Sequence, residues 1–172
     1  MLILLRLLQS LIRTLHSDGT PGQVAAGLTL GAALGLTPLL SSHNLVVISA
    51  IALLNVSVGG AVIGMLLFTP AGFLLDPVFD YLGAVLLGLP WLQGVWTAVY
   101  NTPVLALANF NNTIVLGSIV CWAILTLPIY VGSHAGVVHY RRTLGVKVRN
   151  SKYYKAIAAS RVMTVYRLLV PE

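Results

Sequence analysis

Two aspartates could do chemistry because they lie within a long apolar stretch. Asp76 and Asp80 are four residues apart, so they share one face of a helix that continues through Pro77. A charged aspartate at the centre of a bilayer costs roughly 2.5–3.5 kcal/mol, and no Lys or Arg occurs between residues 14 and 140. The pair predicts either a proton- or headgroup-coupled site within a membrane, or a segment that reaches the aqueous interface.

A second polar group lies where an apolar segment is interrupted. Pro38 is followed by two serines and then by His43 and Asn44. Polar side chains at such a break often satisfy backbone groups that the helix leaves free, and this is one interpretation. The other is a polar floor for a lipid headgroup, in which His43 faces Thr69 at a later break and Asn101 joins them.

Catalysis has little support in the sequence. A nucleophile needs a base and an orienting group, and adjacent Ser42 and His43 do not form such a pair. The four histidines show no metal-ligand spacing. The sequence therefore predicts no catalytic residue, no bound metal and no cofactor.

The composition indicates a membrane protein. Hydrophobic residues make up 58% of the 172 residues and charged residues 8%, against about 25% charged residues in a typical soluble domain. Mean hydropathy is +0.91. Four acidic and ten basic side chains cannot solvate a soluble fold of this length. The sequence predicts one membrane domain over residues 1–140 and a basic cytoplasmic tail over 141–172.

The basic residues lie at the two ends of the chain, up to residue 13 and from residue 141 onward. Lys and Arg beside membrane segments stay on the cytoplasmic side. Both termini are therefore predicted to be cytoplasmic, on a multi-pass protein of a bacterial inner membrane. Because the basic residues adjoin membrane segments, anionic lipid headgroups are expected to attract them, and nucleic acid is not an expected partner.

Apolar segments too short to cross a bilayer predict two re-entrant hairpins. The first covers residues 21–55, with its turn at Pro38, and the second covers residues 56–89, with its break at Pro70. A helix over residues 22–36 is only about 22 Å long, whereas the hydrocarbon core is about 30 Å thick. Ordinary kinked spans are the alternative for both segments.

A stripe of small residues lies in the first hairpin. Gly27, Gly31 and Gly35 are four residues apart and share one helix face. Such a stripe, a glycine zipper, lets another helix backbone approach closely. The alternative is a loosely packed helix with no special partner.

The remaining segments complete a predicted all-α membrane fold. Residues 1–18 form an amphipathic interfacial helix, residues 91–109 and 113–139 form two transmembrane helices, and the tail forms a basic amphipathic helix. Thr113 is expected to cap the second transmembrane helix. Three aromatic residues in the first part of residues 91–109 are expected at the membrane interface: Trp91, Trp96 and Tyr100.

The segment from Pro21 to Pro38 carries a family pattern. It reads P-x-x-x-A-x-G-x-x-x-G-x-x-x-G-x-x-P and resembles the signature of bacterial domain-of-unknown-function family 2062. The resemblance covers about residues 10–90, and the chain has Thr69-Pro70 where that family usually has Asn-Pro. Later positions also agree with the family: Asn55, Gly64, Pro70, Tyr81 and Gly83.

The resemblance implies a function in lipid movement. The family is distantly similar to the DedA superfamily, whose members are associated with lipid scrambling and proton-coupled lipid transport and carry two facing re-entrant hairpins. It also implies a neighbouring, larger AsmA-like protein of the lipid-bridging type as a partner. The expected function is lipid transport or translocation, with membrane lipids as the other partner. The alternative is a membrane anchor or adaptor without transport activity, and a homo-oligomer stays open.

Overall fold

The computed structural model describes residues 19–150 of the chain. Within them the chain is helical apart from turns and short connections, so the predicted all-α class is confirmed. The predicted interfacial helix over residues 1–18 and residues 151–172 of the predicted tail lie outside this range. The helices are, in order, α1 (Pro21–Leu36), α2 (His43–Leu53), α3 (Val58–Gly88), a 3₁₀ turn (Pro90–Leu92), α4 (Gln93–Tyr100), α5 (Pro103–Ala106) and α6 (Thr113–Asn150).

The ends of α1 follow from local sequence. The Thr20 hydroxyl accepts from the Gln23 backbone N–H at 3.2 Å, and the Gln23 side chain accepts from the Thr20 backbone N–H at 2.7 Å, which makes a capping box. Pro21 occupies the first helical turn, where its missing N–H costs nothing. At the other end, Thr37 is extended because it precedes Pro38.

Helices α1, α3 and α6 pack together and form the core. Val24 and Ala32 of α1 are fully buried between the other two helices. Helix α6 runs antiparallel to α1, because its Trp122 indole donates to the Thr29 carbonyl at 3.0 Å and its Arg141 donates to the Gly19 carbonyl at 3.0 Å. We call the end of the bundle that holds Gly19 and Arg141 the near end, and the end that holds Gly88 the far end.

Two of the described helices, α3 and α6, are long and apolar enough to cross a membrane. Residues Val58–Gly88 and Thr113–Thr143 have mean hydropathies of 2.0 and 2.3 in their most apolar stretches. A helix of 31 residues is about 46 Å long, more than the roughly 30 Å of a hydrocarbon core. Only 28% and 22% of those stretches are buried. The core helix of a soluble protein would be mostly buried, so these exposed apolar faces favour membrane association.

The predicted second hairpin over residues 56–89 is wrong. Helix α3 is continuous across this range, and both Pro70 and Pro77 lie inside it. A proline removes one helical hydrogen bond, but membrane-type helices tolerate it where neighbouring groups or small backbone adjustments satisfy the freed carbonyl. The packing of α3 against α1 and α6 on both sides therefore outweighs the local break signal.

The predicted transmembrane helix over residues 91–109 is also wrong. The chain forms the 3₁₀ turn, then α4 of 8 residues and α5 of 4 residues, and α4 is only about 12 Å long. Pro90 and Pro103 each start a new helical piece, because proline cannot donate to a preceding turn. We call residues 89–112 the far segment.

The predicted helix over residues 113–139 lies within α6, which continues to Asn150 across the predicted domain boundary at residue 140. The expected cap at Thr113 is wrong. The Asn112 side chain accepts from the Val115 backbone N–H at 3.1 Å, so Asn112 caps α6.

Candidate functional site

Backbone-to-backbone packing joins α1 to the first half of α3. A Cβ at any glycine of the predicted stripe would collide with a carbonyl oxygen of α3 or of its capping residue: Gly27 with Ser57, Gly31 with Ala61 and Gly35 with Met65. Helix α3 contributes glycines in return: Gly60 against Val24, Gly64 against Leu28 and Gly72 against Gly35. Residue numbers rise together along both helices, so α1 and α3 are parallel.

Parallel packing requires the chain to return between the two helices, and α2 makes that return. The Ser57 backbone N–H donates to the Gln23 carbonyl at 3.0 Å, so residue 57 lies beside the start of α1. We call residues 21–57 the hairpin. It leaves from the near end and comes back to it.

The turn of the hairpin lies beside the middle of α3. Gly35 packs against Met65 and Thr69, and Gly72 packs against Gly35 and Leu36. The end of α1 therefore meets α3 over a stretch about 10–21 Å from the start of α3, at 1.5 Å per residue. The hairpin reaches about half the length of α3.

Asn44 holds the turn together. It is buried, its amide donates to the carbonyls of Pro38 (2.9 Å) and Leu39 (3.1 Å), and its oxygen lies 3.0 Å from the Thr37 hydroxyl. The same hydroxyl lies 2.8 Å from the Ala33 carbonyl, so it contacts both acceptors. Asn44 thus satisfies backbone groups freed at the break, as the first of the two sequence interpretations describes.

His43, next to Asn44, has a different environment. Both of its ring nitrogens are shielded from solvent, and neither makes a hydrogen bond in the described part of the molecule. Its other neighbour, Ser42, donates through its hydroxyl to the Leu107 carbonyl of the far segment. A buried imidazole without a partner retains both a donor and an acceptor, so the turn combines a satisfied amide with an unused polar ring.

The two aspartates of α3 lie nearer the far end. The Thr113 hydroxyl donates to the Asp80 carboxylate, and a Cβ on Gly83, just beyond Asp80, would collide with the Thr113 carbonyl. Asp80 therefore lies beside the start of α6, where the helix dipole favours a negative charge. It is exposed, and Asp76 is partly exposed. This arrangement favours the interfacial interpretation of the pair.

The other predicted polar residues do not join the turn as one cluster. The Thr69 hydroxyl donates to the Met65 carbonyl of its own helix at 2.7 Å. Asn101 is exposed at the end of α4 and lines a far-end cleft of about 380 Å³ with Trp96 and Asn111. The structure brings Thr69 to the level of the turn through Gly35, but it places Asn101 and the aspartates elsewhere.

Sequence reasoning missed two contacts between distant residues, Ser42 with Leu107 and Thr113 with Asp80. In both cases the sequence shows a polar residue that follows a break: Ser42 follows the break at Pro38, and Thr113 follows the polar turn before α6. The partner could not be predicted from this signal, because the two residues of each pair are 65 and 33 positions apart and meet only in the folded bundle.

The chain has recognisable relatives of unknown function. It is 32% identical over 154 residues to an uncharacterized protein of Treponema pallidum (strain Nichols), an alignment that covers 88% of this chain and 93% of that protein. No solved structure matches the chain. Residues 5–144 match the family model described as "Uncharacterized protein conserved in bacteria (DUF2062)", and the chain belongs to that family.

Proposed function

We propose that this protein is a multi-pass protein of the bacterial inner membrane that helps lipids cross or enter the bilayer. The observation that carries the proposal is the hairpin, which returns to its starting point at Gln23 and Ser57 and turns beside the middle of a long apolar helix. If α3 crosses the membrane, the hairpin turn lies within it.

The depth of the turn supports a re-entrant hairpin. Helix α1 has 16 residues and is about 24 Å long, short of a hydrocarbon core of about 30 Å. Irregular backbone at that depth is tolerated only where protein covers it or water reaches it. Asn44 supplies the covering contacts. The His43 ring nitrogens, which are shielded and make no hydrogen bond to a described residue, would bind water or a headgroup once the turn opens.

The structure of the far segment supports the proposal that the barrier to lipid is thin beside the hairpin turn. It consists of short helices and turns, and its Leu107 carbonyl accepts from Ser42 at the hairpin turn. We propose that it enters from the far side and meets the hairpin within the membrane. It would then replace residues 56–89 as the second re-entrant element.

Charge placement supports the orientation. Gly19 and Arg141 lie at the same end of the bundle, and the basic residues of the sequence flank that end on both sides. We propose that the near end faces the cytoplasm. A larger AsmA-like partner, implied by the family resemblance, would receive or deliver the lipid.

Cysteine accessibility tests the hairpin. In a Cys121→Ser background, Leu40→Cys reports on the turn, Val58→Cys on the near end and Tyr81→Cys on the far end. The proposal expects an impermeant thiol reagent to label positions 58 and 81 from opposite sides of sealed vesicles. Position 40 should react slowly from either side. Fast labelling of position 40 from the side that labels position 81 would show that α1 and α2 are full spans.

Proteoliposomes then test lipid movement. Symmetric loss of fluorescence from labelled lipids, after an external quencher is added, is the expected result for the purified protein. Asn44→Leu removes the contacts that hold the turn and should slow this movement, while Asn55→Leu, an exposed change near the end of the hairpin, should not. Lipid movement equal to that of protein-free vesicles would reject the transport proposal.

A membrane adaptor is the second candidate function, and the exposed face of α2 favours it. Its large aliphatic side chains are more than half exposed: Leu45 67%, Val46 71%, Ile48 52% and Leu53 85%. In a bilayer, lipid or a partner helix would cover this face. Purification in mild detergent distinguishes the functions, since an adaptor retains a stoichiometric large partner and moves no lipid alone.

A further inference from the structure

We infer that the cleft at the far end binds an uncharged, hydroxyl-bearing group, such as the sugar of a glycosylated lipid headgroup. The cleft has a volume of about 380 Å³, at the lower end of the range for small-molecule sites. This inference deepens the proposed function by naming a headgroup class, and it rests on that function for the position of the cleft at a membrane surface.

One wall of the cleft is fixed to α3. The Trp96 indole donates to the Leu86 carbonyl at 3.1 Å, and the Gln93 amide donates to the Leu87 carbonyl at 2.8 Å. These bonds hold α4 against the last turn of α3. The Trp96 ring therefore presents a positioned apolar surface, and the Gln93 side-chain oxygen keeps its capacity to accept.

The end of α4 and Asn111 supply the cleft with unused hydrogen-bonding groups. Asn101 and Asn111 are exposed, and their side-chain amides make no hydrogen bond to any described residue. The same holds for the Tyr100 hydroxyl. Each amide offers two donors and one accepting oxygen. A ligand hydroxyl both donates and accepts, so vicinal hydroxyls match this mixture.

The charge of the cleft narrows the ligand class. None of the described residues that line it is charged. A phosphate bound in the cleft would lack the Arg or Lys that usually pairs with it. The aromatic rings could contact an ammonium group, but a zwitterionic headgroup would still leave its phosphate unpaired. A neutral polyol carries no charge, so it needs no Arg or Lys partner in the cleft.

The location of the cleft indicates a lipid as the source. Trp91, beside α4, is 74% exposed, and exposed Trp and Tyr prefer the boundary between headgroups and acyl chains. A headgroup in the cleft could therefore keep its chains in the bilayer. A free sugar from the far compartment has the same chemistry, so the experiment must separate the two.

Native mass spectrometry of the full chain released from nanodiscs tests the inference. One nanodisc set contains glucosyl diacylglycerol mixed with phosphatidylglycerol, and a second contains phosphatidylethanolamine in place of the glycolipid. Asn101→Ala with Asn111→Ala is the cleft variant. Asn55→Ala, an exposed amide outside this cleft, is the matched control. A parallel titration with free glucose, followed by displacement of bound glycolipid, tests the soluble source.

Preferential retention of the glycolipid by the wild type and by Asn55→Ala is the expected result, with about tenfold weaker retention by the cleft variant. If millimolar glucose displaces the glycolipid, the cleft binds a hydroxyl-bearing group, but a free sugar and not a lipid is its source. Equal retention of all lipids, or no loss in a cleft variant that melts like the wild type, would overturn the inference. Binding is measured without lipid movement, so a failure of transport would not change this result.

Discussion

The near half of the molecule and the far segment are built in opposite ways. In the near half, α1 and α3 approach backbone to backbone, with glycines of each helix facing carbonyl oxygens of the other or of Ser57 just before α3. In the far segment, Trp91 and Leu107 are 74% and 69% exposed, and side-chain hydrogen bonds from Trp96, Gln93 and Ser42 tie the segment to the other helices.

This difference indicates which part of the molecule can move. Close-packed helices have few alternative arrangements, because a shift of one residue would drive a Cβ into a carbonyl. Short helices with few buried contacts open at low free-energy cost. We therefore expect the hairpin, α3 and α6 to act as a fixed frame, and the far segment to be the part that moves away from the hairpin turn at Ser42.

The largest expected effect comes from a methyl group at the tight interface. A Cβ at Gly31 would collide with the Ala61 backbone, which cannot move without separating α1 from α3. Gly31→Ala should therefore destabilise the protein by about 3 kcal/mol, at the upper end of overpacking effects. Thermal unfolding in mild detergent, followed by circular dichroism, measures this.

Gly132→Ala is the matched control, since a Cβ at Gly132 meets nothing within 4 Å. Both substitutions replace Gly by Ala within a helix, so the higher helix propensity of Ala contributes the same stabilisation of about 1 kcal/mol to each variant. Gly132→Ala should be neutral or stabilising. Equal melting temperatures for the two variants would mean that the helices do not approach as the structure describes.

A smaller effect, on activity and not on stability, is expected from tying the far segment down. Ser42→Cys and Leu107→Cys, in a Cys121→Ser background, can be joined by a short bis-methanethiosulfonate crosslinker. A covalent tie that favours the closed arrangement by about 2–4 kcal/mol lowers the open population by at least about tenfold. Lipid movement in proteoliposomes should fall by that factor and recover when reductant removes the crosslinker.

Ser42→Cys alone, treated with the same reagent, separates tying from simple modification of the turn and should keep most of its activity. Full lipid movement by the crosslinked pair would place the passage elsewhere. The far segment would then not be the part whose opening controls lipid movement.

The sequence predicted the frame better than the far segment, for physical reasons. The spacing of Gly27, Gly31 and Gly35 determines a helix face whatever lies opposite, so the stripe could be identified without its partner. The apolar composition of residues 91–109 predicts one span, whereas Pro90 and Pro103 begin separate short helical pieces. The contact from Ser42 to Leu107, 65 positions apart, and the bonds from Gln93 and Trp96 to the end of α3 give that segment its place.

The smallest effect is expected at Pro70, where the sequence had indicated an essential break. Because α3 is continuous through Pro70, Pro70→Ala leaves the hairpin turn and the far segment in place and removes only an interruption in the helical hydrogen bonds. Lipid movement should stay within about twofold of the wild type, a difference below roughly 0.5 kcal/mol. Asn44→Ala, which removes the contacts that close the turn, should slow movement more under the same conditions. If Pro70→Ala stopped lipid movement while Asn44→Ala did not, the middle of α3 would be the functional break, and the hairpin would be part of the frame alone.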